Sequence, residues 1–385
     1  MEYKALCEIA TVTSSKRIFA EQYVSEGVPF YRQKEIIEKH DKKQLSDPLY
    51  ISEEVYENIK SKFGIPKEGD LLLSAVGVTL GIPYIVQNEK FYFKDGNLIW
   101  LKDFKKDINS KYIYYWIDSK FGLESIFIRA IGSAQPALTI DLVKKYKMFF
   151  PEKSKQDKIV NILSRYDEAI ENNNKRIKLL EQMAQNLYKE WFVRFRFPGW
   201  ENCEFENGIP KGWHQGKFSE LFEFKRGKNI TADEMIEGQV PVISAGISPS
   251  GYHIEANVKG TSLTISSSGA NAGYLSIHYE DIWAADCMFI TEENTKNIYY
   301  LYELLNNIRP VILNQQRGAA QPHVYSKDIN NLRLWIPNEE LIENANKLFE
   351  SFHKEIYQLQ RANKILAKQR DLLLPRLMSG KLEVR

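Results

Sequence analysis

The spacing of apolar residues divides this chain into four stretches. Over residues 1–150 the apolar runs are short. Leu71–Ala75, Ile82–Val86 and Leu98–Leu101 are bounded by glycine, proline or charge, which predicts strands. Tyr112–Leu123 has helical spacing, and Tyr146–Phe150 reads as a last strand before Pro151. From 151 to 197 the period changes. Ile159, Leu163, Tyr166, Ile170, Asn173, Ile177, Leu180, Ala184, Leu187 and Trp191 recur at alternating steps of four and three, a heptad seam with one polar intruder. Ser154 with Asp157 approximates a capping box at its start, and Pro198-Gly199 stops it. Residues 201–337 return to short runs, with strands expected at Val240–Ser244, Ser262–Ser266 and Leu332–Ile336 and helical spacing over Leu301–Leu313. Residues 338–379 carry a second seam: Ala345, Phe349, Phe352, Ile356, Leu359, Asn363, Leu366, Arg370, Leu373 and Leu377. Pro375 is expected to kink or fray its last turn.

The second half repeats the first. Gly132-Ser133-Ala134-Gln135-Pro136 recurs 186 residues later as Gly318-Ala319-Ala320-Gln321-Pro322, and Pro151 recurs as Pro337. A repeat of this size means one domain plus one long helix, used twice. The two seams match in an antiparallel register in which facing residue numbers sum to 536. Ile159 then meets Leu377, Ala184 meets Phe352, and Asn173 meets Asn363. A buried Asn pair costs stability but sets register. Each helix packing only on its own globular unit is the other reading.

Composition narrows the class. The chain has 385 residues, 43% hydrophobic and 26% charged, with a net charge of +2, so it announces no nucleic-acid binder by charge alone. Three scattered cysteines, Cys7, Cys203 and Cys287, form no CxxC, which disfavours zinc ribbons and fits a reducing compartment. No run of about 18 apolar residues suggests a membrane span, and no secretion signal is evident. A cytoplasmic protein is expected. Chemistry is missing too. There is no Pro-Pro, hence no Asn/Asp-Pro-Pro-Tyr/Phe methyltransferase motif; there is also no GxGxxG, no phosphate loop and no HExxH. No catalytic or metal-ligating residues are assigned.

The Gly-x-x-Gln-Pro segments, the strand-to-proline steps and the two long helices occur in a fixed order. With them come the opening Ile209-Pro210-Lys211-Gly212-Trp213 and the ending Leu373-Leu374-Pro375-Arg376-Leu377-Met378-Ser379-Gly380. In this combination the chain resembles the specificity subunits of type I restriction–modification systems over essentially its whole length. One departure is that the first half lacks a Pro-Lys-Gly-Trp opening and starts almost directly at Tyr3–Ile9. The resemblance implies an α+β fold of two mixed target-recognition domains (1–150 and 201–337), each followed by a conserved helix (151–200 and 338–385). The helices are expected to pair as an antiparallel coiled coil with pseudo-two-fold internal symmetry. Each domain is expected to read one half of a bipartite double-stranded DNA site. The coiled coil would set the spacing and dock two modification (methyltransferase) subunits, with restriction subunits in the full complex. The chain itself would bind no cofactor; S-adenosylmethionine, ATP and Mg would sit on partners. A related restriction class, a protein-binding coiled-coil adaptor and a self-contained nuclease are the competing readings.

Candidate DNA contacts lie in polar loops beside the repeat landmarks. Arg129, Ser133 and Gln135 flank the first Gln-Pro, and Arg317 and Gln321 the second; arginine and glutamine can contact guanine and adenine edges bidentately. A second loop pair shares Gly-x-x-x-Gly, offering Ser74 and Thr79 in one half and Ser268 and Asn271 in the other. Lys225, Arg226 and Lys228 suit phosphate neutralisation, as does Arg32 in the first half. Each has a bland counterpart as a turn or strand-end residue. For partner docking the aromatic end of the first helix, Trp191, Phe192 and Phe195, offers more apolar surface than a two-helix seam uses.

Overall fold

In a computed structural model, residues 2–43, 45–128, 136–318, 321–379 and 381–382 are described. The chain divides into two compact units: residues 1–170 with 364–385, and residues 171–363.

Among the described residues, the strands of unit 1 are β1 (Glu2–Ala5), β2 (Thr11–Thr13), β3 (Tyr23–Val24), β4 (Val28–Tyr31), β5 (Leu49–Ile51), β6 (Leu71–Ser74), β7 (Pro83–Ile85), β8 (Tyr92–Phe93), β9 (Leu98–Lys102) and β10 (Lys147–Phe150). The strands at 71, 83 and 98 follow the apolar runs within a residue or so. Strand order is β2-β9-β6-β7 in the central sheet and β3-β5-β4-β8 in a second, while β1 pairs antiparallel with β10. β6 and β9 are buried along almost their whole length, so both faces of the central sheet are covered.

Unit 2 adds β11 (Phe205–Glu206), β12 (Ile209–Pro210), β13 (His214–Lys217), β14 (Lys225–Arg226), β15 (Val240–Ile243), β16 (Gly251–His253), β17 (Ser262–Ser266), β18 (Leu275–His278), β19 (Trp283–Ala284), β20 (Cys287–Thr291) and β21 (Arg333–Ile336). Its central sheet, β14-β20-β17-β18, has the connectivity of β2-β9-β6-β7. β13 pairs with β21 as β1 does with β10. The parallel pair β15–β19 matches β4–β8. The repeat read from a few landmark residues is therefore a repeat of sheet topology.

Two expected helices are each broken in two. Tyr112–Leu123 falls across Ser110–Asp118 and Lys120–Phe127. Ser119 ends the first and caps the second, its hydroxyl accepting the Gly122 N–H at 2.9 Å. Gly122 packs so closely that a Cβ there would sit 2.0 Å from the Trp116 carbonyl oxygen. Leu301–Leu313 divides into Ile298–Asn307 and Arg309–Leu313, because Pro310 cannot donate inside a continuous helix.

The first long helix runs Lys153–Tyr188 and widens into a π-turn at Lys189–Val193 instead of continuing to 197. Ser154 lies inside it, so the expected capping box does not form; Asp157 accepts from Asn109 Nδ2 at 2.7 Å. The second long helix, Glu339–Met378, continues through Pro375. Burial of Leu374, Leu377 and Met378 in the unit 1 core holds that turn where fraying was expected.

The helices pair antiparallel within each unit. In unit 1, Ile159, Val160 and Leu163 share a core with Leu374 and Leu377, and Arg370 Nη1 meets Asp167 Oδ1 at 2.6 Å. In unit 2, Asn173 Nδ2 donates to Asn363 Oδ1 at 2.9 Å and Asn363 Nδ2 to Asn174 Oδ1 at 2.8 Å. Arg176 pairs with Glu355 at 2.6 Å, and Ala184 shares a core with Ala345 and Phe349.

Candidate nucleic-acid interface

In both units the repeat landmarks meet at one end of the central sheet. In unit 1, β6 runs out at Ser74 opposite Leu98, where β9 begins, and the Ser14 hydroxyl at the end of β2 donates to the Leu98 carbonyl at 2.9 Å. The turn after β6 closes through Gly81 N–H to Ser74 O at 2.8 Å and Leu80 N–H to Gly77 O at 3.2 Å. The Gln-Pro segment then docks on it: Gly77 N–H donates to Pro136 O at 2.9 Å and Leu138 N–H to Ala75 O at 2.8 Å. In unit 2, Gly273 N–H donates to Ser266 O at 2.9 Å and Ala272 N–H to Gly269 O at 3.0 Å. Gly269 N–H bonds Pro322 O at 3.0 Å, and Val324 N–H bonds Ser267 O at 3.0 Å. Gly77 and Gly269 have φ of 81° and 76°, a left-handed conformation that favours glycine and explains its recurrence. Sequence spacing had aligned these two loops only loosely; the hydrogen bonds superpose them residue by residue.

The remaining candidates distribute around this frame. Ser74 is fully buried, its hydroxyl accepting Ile82 N–H at 2.8 Å and donating to the Thr79 carbonyl, so it holds the turn from inside. Thr79 is exposed beside it. Gln33, which lies next to Arg32 in the same candidate segment, bonds both backbone groups of Val76: its Nε2 donates to Val76 O at 2.7 Å, and its Oε1 accepts Val76 N–H at 3.3 Å. Nothing in the local sequence distinguishes it; only the fold brings the helix Gln33–His40 to the turn. Arg32 sits one residue before that helix and is held by Glu35, a fully buried carboxylate, at 2.5 Å and by the Asp47 carbonyl at 2.7 Å. Its guanidinium supports the fold. Arg129, Ser133 and Gln135 lie outside the described residues.

In unit 2, Ser268 is buried and donates to Asp286, while Asn271 is half-buried at the end of the turn. Lys225 and Arg226 form β14 and are exposed; Lys225 Nζ reaches Asn294 Oδ1 at 3.0 Å. Lys228 is also exposed, and its N–H bonds Ala284 O at 2.9 Å, which fastens this basic segment to the same sheet end. Arg317 pairs with Asp328 at 2.7 Å, and its backbone bridges His323 across the Gln-Pro loop. Gln321 is exposed there. Gly318 has φ 96°, and a Cβ on it would lie 2.7 Å from the Gln321 carbonyl oxygen, so this tight loop favours glycine.

Trp191 and Phe192 are buried in the unit 2 core, with Phe195 packed against it. Trp213 of the Pro-Lys-Gly-Trp opening stacks among them, its ring 6.1 Å from Phe192 and 5.2 Å from Phe195. The aromatic excess at this helix end is taken up within the unit. Among the described residues no group of three or more His, Cys, Asp or Glu could hold a metal ion, and no helix is long and apolar enough to cross a membrane.

Comparison with known proteins agrees with this architecture. The chain is 26% identical over 305 residues to a type I restriction enzyme specificity subunit of Methanocaldococcus jannaschii, covering 73% of this chain and 71% of that one. It is 31% identical over 186 residues to a putative type I restriction enzyme specificity subunit of Haemophilus influenzae, covering 48% and 45%. The crystal structure of the S subunit of a type I restriction–modification system from M. genitalium aligns with a TM-score of 0.63 at 18% identity, covering 100% of this chain and 96% of that one. This last match shows the fold. The family model described as the type I restriction modification DNA specificity domain matches residues 1–182 and again 210–367, and on that duplicated match the chain belongs to this family of DNA specificity subunits.

Proposed function

We propose that the two domains each read one half of a bipartite double-stranded DNA site, and that the paired helices set the spacing between half-sites. The observation that carries this reading is the same turn-plus-Gln-Pro frame built twice, at the same end of two topologically equivalent sheets, with different side chains at its tip. A frame that repeats while its tips differ suits two readers with different sequence preferences. Polar groups at the frame (exposed Thr79 and Gln321, half-buried Asn271) and the basic Lys225–Lys228 segment supply edge and phosphate contacts. Exposed apolar residues on the helices support docking of two modification subunits: Leu179, Met183 and Leu348 in unit 2, and Ile365 and Leu372 in unit 1. In this scheme adenine methylation uses S-adenosylmethionine on those subunits, and cleavage uses ATP and Mg on a separate restriction subunit.

The test is to co-express the chain with its cognate modification methyltransferase and map methylated adenines by single-molecule sequencing. A bipartite motif that appears only when this chain is present is expected. Methylation identical without the chain would overturn the reading.

A further inference from the structure

We propose that Val78 is a specificity-determining residue that packs on the C5 methyl group of a thymine in the half-site read by unit 1. This rests on the DNA-reading function proposed above. Val78 is 93% exposed, at the tip of the turn between β6 and β7. Large apolar side chains at such exposure on a floppy loop need no explanation, but this turn is not floppy. Ser74 and the Gly81–Ser74 bond close it from below, Pro136 and Leu138 brace one flank, and Gln33 grips Val76 from the other. The valine side chain itself is branched at Cβ and has little rotamer freedom. The fold thus holds a rigid isopropyl group out into solvent.

The tip from Val76 to Leu80 carries no charged side chain, so it is not built to hold a phosphate. What Val78 itself can recognise is an apolar group. In the major groove the thymine C5 methyl is the apolar feature that a base pair presents, and apolar side chains read it. Methyl transfer to adenine places at least one A·T pair, hence one thymine methyl, in each half-site. In unit 2 the same hydrogen-bond frame puts Ala270 where unit 1 has Val78, and Asn271 where it has Thr79. Two readers on one frame must differ where they touch bases, and this is a place where they do.

The test uses the complex of this chain with its modification subunits and a duplex carrying the mapped site. Each thymine in turn is replaced by deoxyuridine, which removes only the methyl group. With the wild-type chain, one substitution in one half-site is expected to weaken binding about fourfold, the worth of one buried methyl group. With Val78→Ala the same substitution is expected to have no effect, while the deoxyuridine series in the other half-site is unchanged. If no thymine-to-uridine change weakens wild-type binding, or if Val78→Ala keeps the full sensitivity, the inference is overturned although site-specific binding remains. Absence of any site preference in the complex would overturn the DNA-reading function with it.

Discussion

Asn173 and Asn363 are 190 residues apart in the chain and share a 2.9 Å hydrogen bond where the two long helices pair. Each is half-buried in a mostly apolar seam, and Asn363 Nδ2 also donates to Asn174 Oδ1 at 2.8 Å. Sliding one helix by a heptad would set Asn173 against Ile356 or Arg370 and Asn363 against Tyr166 or Leu180, so the amide pair is lost in either direction, which penalises the alternatives more than it strengthens the native pairing.

A double-mutant cycle with Asn173→Ala and Asn363→Ala should therefore give a coupling of about 1 kcal/mol in urea unfolding. Replacing both by leucine should raise the unfolding midpoint. Cysteines placed at the two positions should crosslink within one chain; failure of the crosslink would refute the register.

Arg32 gives a second case. Its partner Glu35 is fully buried, so Arg32→Ala should strand a carboxylate and lower stability by about 3 kcal/mol. Adding Glu35→Gln should recover much of that loss. An Arg32→Ala chain of wild-type stability in urea titration would mean that the ion pair contributes nothing to the fold.

Gln33 braces the Val76–Thr79 turn without contributing to a core. Gln33→Ala should weaken binding to the mapped DNA site several-fold by loosening the Val76–Thr79 tip, while stability falls by no more than about 1 kcal/mol. Affinity and thermal denaturation of the same variant separate the two effects, and unchanged affinity would show that the tip needs no such support.

Burial lowers the pKa of His278 to about 4, and its Nε2 lies 2.8 Å from Thr264 Oγ1. The unfolded chain, with a histidine pKa near 6.5, then binds more protons than the folded one between pH 6.5 and 4. Stability from this group is present above pH 6.5 and is lost as pH falls through that window, by up to about 3 kcal/mol. Melting curves of the wild type and His278→Gln across pH 4–7 should converge toward acid; parallel curves would exclude His278 as the source.

Replacing Lys225, Arg226 and Lys228 by alanine should weaken binding to all DNA sequences alike. It should also reduce the slope of log affinity against log salt by about 0.9 for each phosphate contact removed. A change in sequence preference with an unchanged slope would instead make these residues base readers.

The long helices, the repeat and the seven strands expected from short apolar runs were legible because each is written in apolar periodicity or in glycine and proline; the other, mostly shorter strands were not. The breaks at Ser119 and Ile308 were not, because both flanks of each break are apolar and helix-forming, and only the close approach of Gly122 to Trp116 and the missing donor of Pro310 separate them. At the candidate interface, glycines Gly77 and Gly269 marked where the frame lies, since a left-handed backbone favours that residue. Which polar side chains face outward was not legible. Ser74 and Thr79 are equally polar in the sequence, yet one is locked inside the turn and the other lies on its surface. Gln33 is 43 residues away from the turn it grips, a distance that no local pattern crosses.

The core of unit 1 contains Leu374, Leu377 and Met378 beside Ile159 and Leu163. During synthesis the ribosome delivers that last turn only after the whole of residues 171–363 has emerged. The first domain translated is thus the last to be completed, and its exposed seam must wait through the production of nearly two hundred residues.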